Sequence, residues 1–169
     1  MRRAAFAAWA SELTGLEVEA CSSGREAALG ADLICTTTSS REPVLLGEWL
    51  SEGAHVNAVG SSMPKAVELD AAAVARARLY IDRRESTLAE SGDFLAAKAA
   101  GAVDDDHIVA ELGDVLLGRA GGRRDEREIT LFKSLGLAVQ DLAAAHHVYT
   151  AATLAGRGTL ADLGAPVDA

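Results

Sequence analysis

The stretch Ala31-Asp32-Leu33-Ile34-Cys35-Thr36-Thr37-Thr38-Ser39-Ser40 decides the fold, because a short apolar run ends in a succession of hydroxyl-bearing residues. A run of this length and character reads as a strand, Ala31 to Thr37, covered on both faces, with its carboxyl end opening into a polar loop. The same form returns at His55-Val56-Asn57-Ala58-Val59, which runs into Gly60-Ser61-Ser62-Met63-Pro64, and a further strand reads at Leu79-Tyr80-Ile81-Asp82. Helical segments separate them: Ser22 to Leu29 opened by hydroxyl caps, a turn at Gly47 to Leu50, and Glu68 to Ala77. Upstream, Ala5, Phe6, Trp9 and Leu13 recur at helical spacing within Arg2 to Leu13, Thr14-Gly15 ends that helix, and Leu16 to Ala20 reads as a short strand. Strands alternating with helices require right-handed crossovers, so the expected architecture is α/β, a doubly wound parallel sheet.

Beyond Asp82 the expected strands stop. Glu85 to Ala100, Ile108 to Leu117 and Leu131 to Leu154 read as helices, the last alanine-rich and apolar on more than one face. The expected organisation is a partial Rossmann-like domain over 1–125, a C-terminal helical segment over 126–158, and a weakly ordered tail over 159–169.

Composition narrows the function classes. A net charge of −9 leaves no basic face for a nucleic-acid backbone or an anionic membrane surface. No uncharged stretch is long enough to span a bilayer, and Ser11 and Glu12 interrupt the N-terminal apolar run too early for a secretory signal. Cys21 and Cys35 lack metal-site spacing and read as buried reduced thiols, which suits a cytoplasmic protein.

In open parallel sheets, ligands bind beyond the carboxyl ends of the strands. The loops after Cys35 and after Val59 offer small side chains, hydroxyl donors and free backbone N–H groups, which suit a ribose, an amide or a phosphate. The commoner role of such residues is to cap the next helix.

Four blocks in order carry a family resemblance: Ala31 to Leu45, Gly53 to Ser62, Ala89-Glu90-Ser91-Gly92-Asp93, and Glu128-Ile129-Thr130-Leu131-Phe132-Lys133-Ser134-Leu135-Gly136-Leu137-Ala138. Together they resemble the ornithine cyclodeaminase/mu-crystallin family from the first helix to about Gly158. The resemblance implies an NAD(P)-dependent protein acting on an amino acid or cyclic imine, as a dehydrogenase or ketimine reductase, with NAD or NADP as cofactor and a homodimer as the full-length assembly. It implies that Thr36, Thr38 and Ser39 lie against the cofactor, that Val59, Gly60 and Ser61 approach its nicotinamide end, and that Ser134 and Leu135 return to the same cleft, Leu135 toward the substrate.

The chain departs from the family pattern in two places. Ser62 stands where cyclodeaminases of the family carry an acid/base aspartate, and a serine hydroxyl is a poor general base without an activating partner; Lys65 does not replace the carboxylate. Ornithine cyclisation is therefore the weaker reading. No Gly-x-Gly-x-x-Gly motif occurs; Gly156-Arg157-Gly158 follows a helix and lacks the third glycine. Met1 aligns with the helix after the family's second Rossmann strand, so the expectation is an N-terminally truncated, incomplete sheet, inactive as an isolated fragment, with a non-catalytic remnant or binding protein as the alternative.

The remaining polar clusters read as structural. His146-His147 point to different helix faces, Asp104-Asp105-Asp106 reads as a solvated cap, and Arg123 to Glu128 as a mixed-charge turn, so no metal site is expected. Glu90 to Asp93 is assigned to packing rather than catalysis.

Overall fold

The structure is a computed structural model that describes residues 2–159 and 161; most of the tail expected over 159–169 lies outside them. Five parallel strands form one sheet: β1 Leu33–Thr36, β2 His55–Ala58, β3 Arg78–Ile81, β4 Ile108–Glu111 and β5 Thr130–Lys133, in the order β1-β2-β5-β3-β4. The α-helices are α1 Arg2–Thr14, α2 Gly24–Ala28, α3 Ala71–Arg76, α4 Arg84–Glu90, α5 Gly92–Ala99, α6 Leu112–Leu116 and α7 Ala138–Leu154. The compact unit holding the sheet runs to Leu135; α7 belongs to a second unit that begins at Gly136.

Local chemistry explains the helix starts. The Ser23 side chain accepts the Glu26 N–H at the start of α2, and Ser91 accepts that of Phe94 at α5. Asp70 accepts both the Ala73 N–H of its own helix, α3, and the Gly47 N–H, each at 2.8 Å, so one carboxylate caps the helix and ties it to the Gly47–Trp49 turn. Gly47 has to be glycine for this approach, since a Cβ there would sit 2.5 Å from the Ala73 nitrogen.

The register makes the two faces of the sheet unequal. Ile34, Val56, Leu131 and Leu79 form one cross-strand row, and Thr36, Ala58, Lys133 and Ile81 the next. Their side chains share the face that carries the core, against Ala73, Val74, Phe94 and Ala97 of α3 and α5. The opposite face presents Cys35, Asn57, Phe132 and Tyr80 in register. At β1 it is thinly covered: Leu33 is 61% exposed and Cys35 is exposed as well, which corrects the expectation of a β1 buried on both faces and of a buried thiol at Cys35. Cys21 is half-buried rather than enclosed.

Three further expectations are corrected. Thr130–Lys133 is not the start of a long helix but the strand that fills the gap between β2 and β3, and α7 begins only at Ala138. Ile108–Leu117 divides into β4, bonded to β3, and the short α6. Leu16 to Ala20 pairs with no strand. In α1 the residues buried are Ala7 and Ala10, whereas Phe6, Trp9 and Leu13 are exposed.

Candidate functional site

Thr36, Ala58, Lys133 and Ile81 end their strands in a single cross-strand row, so the loops that come after them meet along one edge of the sheet. This is the edge at which open parallel sheets bind ligands. Every residue read from the sequence as a site candidate lies on these loops or at their base. Thr38, Ser39, Val59 and Ser62 are exposed along the edge, Gly60, Ser134 and Leu135 are half-buried, and Thr36 and Ser61 lie beneath.

A fully buried carboxylate, Glu68, joins the first two loops. It accepts the Thr36 hydroxyl at 2.8 Å, the Gly60 N–H at 2.8 Å, and the Thr38 N–H. Three donors from two chain segments converge on one anion, which offsets the cost of its burial. Gly60 crosses this junction so closely that a Cβ would collide with the Thr38 backbone and Glu68 Oε1. In the sequence Glu68 reads as the first turn of a helix; the helix instead starts at Ala71, and only the fold reveals Glu68 as the clamp.

A second buried cluster lies under the β2 loop. Lys133 Nζ donates to Ser61 Oγ at 2.7 Å and to the Ala58 carbonyl at 3.2 Å, and stands 3.3 Å from Asp93 Oδ2. The Ser61 hydroxyl donates in turn to Asp93 Oδ2. Asp93 Oδ1 accepts the backbone N–H groups of Glu68 at 2.7 Å and Leu69 at 3.0 Å. Lys133 and Asp93 are 1% and 2% exposed. Burial pushes the Lys133 ammonium below the ordinary lysine range, opposed chiefly by the Asp93 carboxylate. Ser61 is fully buried, so its hydroxyl works inside this network.

Asp82 anchors the third loop. Its Oδ2 accepts the Leu135 N–H at 2.6 Å and the Ser134 hydroxyl at 3.3 Å, and its Oδ1 accepts the Arg83 N–H at 2.8 Å. Ser62 is exposed, and among the described residues no carboxylate or imidazole is hydrogen-bonded to it. Thus three buried acids, Glu68, Asp93 and Asp82, hold the loops from below, while small polar groups and backbone remain on top. No sequence motif marks Glu68 or Asp82, because each is one acidic residue beside an ordinary helix or strand pattern.

The sheet face that presents Asn57, Phe132 and Tyr80 carries a separate pocket of about 370 Å³. There Arg123 donates to Thr130 Oγ1 at 3.0 Å, and Thr130 Oγ1 lies 2.7 Å from His55 Nδ1. The other ring nitrogen, His55 Nε2, lies 3.3 Å from Asn57 Oδ1.

The sequence model described as the ornithine cyclodeaminase/mu-crystallin family matches residues 1–155. Mouse (Mus musculus) ketimine reductase mu-crystallin is 48% identical over 141 residues, covering 83% of this chain and 42% of that protein. Among solved structures, the Δ1-pyrroline-2-carboxylate reductase of Thermococcus litoralis, in complex with NADH and L-proline, superposes with a TM-score of 0.88 at 40% identity over 94% of this chain and 49% of that one. An archaeal alanine dehydrogenase dimer with bound NAD gives 0.82 at 33% identity over 95% and 49%. The chain therefore spans less than half the length of these relatives. Among the described residues no helix is long and apolar enough to cross a membrane.

Proposed function

The chain belongs to the ornithine cyclodeaminase/mu-crystallin family, and from that membership we propose that it forms the sheet half of an NAD(P)-dependent oxidoreductase acting on an amino acid or cyclic imine. The observation that carries this reading is the Glu68 junction, which fixes two hydroxyl-rich loops side by side at the carboxyl edge of the sheet. Such an edge, preformed from below and lined above by backbone and small polar groups, positions a dinucleotide without supplying the chemistry itself.

In this reading Thr38, Ser39, Val59, Gly60 and Ser134 line the cofactor side and Leu135 the substrate side. Thr36 and Ser61 hold the lining in place through Glu68 and Asp93. The dinucleotide supplies hydride chemistry when bound; the residues of this chain orient it and shape the cleft. A homodimer in a reducing cytoplasm is consistent with the archaeal dimer and with two free thiols.

Ser62 argues against the cyclodeaminase branch, since among the described residues no hydrogen-bonded partner would make it a base.

Titration with NADH and NADPH, followed by nicotinamide fluorescence, tests the binding step. Assays of NAD(P)H-dependent reduction of Δ1-pyrroline-2-carboxylate and of ammonia release from ornithine test the reaction. Dinucleotide binding and imine reduction with no ammonia release are expected. Ammonia release from ornithine would overturn the oxidoreductase assignment.

A further inference from the structure

Residue 68 joins the two buried clusters, with its backbone in one and its carboxylate in the other. Asp93 Oδ1 accepts the Glu68 N–H at 2.7 Å and the Leu69 N–H at 3.0 Å, while the Glu68 side chain holds the Thr36 hydroxyl and the Thr38 and Gly60 N–H groups. Behind Asp93 stands Lys133, whose ammonium has three protons and three neighbours: Asp93 Oδ2 at 3.3 Å, Ser61 Oγ at 2.7 Å and the Ala58 carbonyl at 3.2 Å. An unbroken run of polar contacts thus leads from β5, through the first turn of α5, to the loops after β1 and β2. Packing ties the same parts together. A Cβ on Gly92 would collide with the Ala66 and Met63 carbonyls, so the helix start that carries Asp93 is pressed against the far end of the β2 loop.

The geometry points to Lys133 and Asp93 as positioning residues of the cofactor edge: both lie too deep to touch a ligand, and they act through Glu68 to set the two loops side by side. A buried ion pair is a poor means of adding stability, because desolvation offsets most of the attraction. What it does supply is fixed direction. Asp93 has four donors on two oxygens, so its plane is determined, and with it the place of the Glu68 backbone. In Asp93→Asn an amide NH₂ replaces one oxygen and must oppose either the ammonium side or the two backbone N–H groups. Residue 68 then moves, and its carboxylate moves with it. The functional meaning of this coupling rests on the dinucleotide reading of the edge; the coupling itself does not.

The test compares the 169-residue chain with D93N, E68Q and the double variant. In ¹H–¹⁵N spectra without ligand, D93N should shift the Thr38 and Gly60 amide resonances, although neither amide bonds to Asp93. Ile108→Ala, a core truncation on the far edge strand β4, is the control for lost stability and should leave both in place. In NADH fluorescence titrations D93N and E68Q should each raise the dissociation constant about 10-fold. The double variant should stay within about 2-fold of E68Q, because Asp93 has nothing left to act through; independent structural roles would instead multiply to about 100-fold. Unmoved Thr38 and Gly60 resonances in D93N, or multiplied losses, would each overturn the assignment. If the double variant does not fold, the D93N resonances decide. Shifted resonances in a chain whose parent form fails to bind NADH would count against the nucleotide reading alone.

Discussion

The Glu68 carboxylate accepts the Thr36 hydroxyl at 2.8 Å from inside the core, so the end of the first strand is held by a residue 32 positions later in the chain. The same carboxylate takes the Gly60 and Thr38 N–H groups. In Glu68→Gln one oxygen becomes an amide that donates, and it must face at least one of these donors. A buried donor is left unsatisfied, at about 2 kcal/mol. Urea unfolding measures this loss, and weaker NADH binding should accompany it because both loops slacken. A variant as stable as the parent would show that the three donors find water instead.

Gly60 lies where its neighbours leave no volume. A methyl group there would enter the Thr38 backbone and the Glu68 side chain. Gly60→Ala therefore has to push the two loops apart, at about 1 to 3 kcal/mol of overpacking strain. Gly113, with nothing within 4 Å of its Cβ position, is the control, and Gly113→Ala should unfold at nearly the parent temperature. Equal melting temperatures for both variants would show that the close approach at Gly60 does not shape the site.

Lys133 makes the stability of the fold depend on pH. Its ammonium is held below the ordinary value of 10.5 mainly by burial. Between the lowered folded value and 10.5 the unfolded chain therefore binds more protons than the folded one. Stability from this group rises with pH across that window, and the penalty is fully in force below it. Lys133→Met removes the titration and leaves the Asp93 carboxylate without its ammonium, at about 3 kcal/mol. Denaturant unfolding at pH values stepped from neutral up to the ordinary value of 10.5 should show the gap between parent and variant widening once the pH passes the lowered folded value; a narrowing gap would contradict the sign.

What the sequence makes legible here is local. The apolar runs of β1 and β2 and the hydroxyl loops behind them stand out because each is a change of composition within a few residues. The strand at Thr130–Lys133 does not, since it is four residues long and lies near the periodic, alanine-rich stretch that becomes α7. Only its partners identify it as a strand: it pairs with β2 and β3, and even the nearer of these in sequence is separated from it by α4, α5, β4 and α6. Glu68, Asp93 and Asp82 are invisible as a set for the same reason. Each acquires its role from donors brought by distant segments, and a single acidic residue next to a helix usually signifies a cap.

The position of β5 gives the sharpest contrast between the helical reading of Leu131 to Leu154 and the fold. Leu131 is 1% exposed in the centre of the sheet, in one row with Val56 and Leu79, whereas Leu116 of α6 is 79% exposed. Leu131→Ala opens a cavity between two strands that cannot close without breaking their pairing, at about 2 to 5 kcal/mol. Leu116→Ala removes the same atoms from solvent, within about 0.5 kcal/mol of the parent. Had Leu131 opened the helix read from the sequence over Leu131 to Leu154, its truncation would slacken one helical turn and leave β2 and β3 intact. Hydrogen exchange separates the two cases: with β5 central, Leu131→Ala should speed exchange of the Val56 and Leu79 amides on both neighbouring strands, and protection unchanged at those positions would count against the central strand.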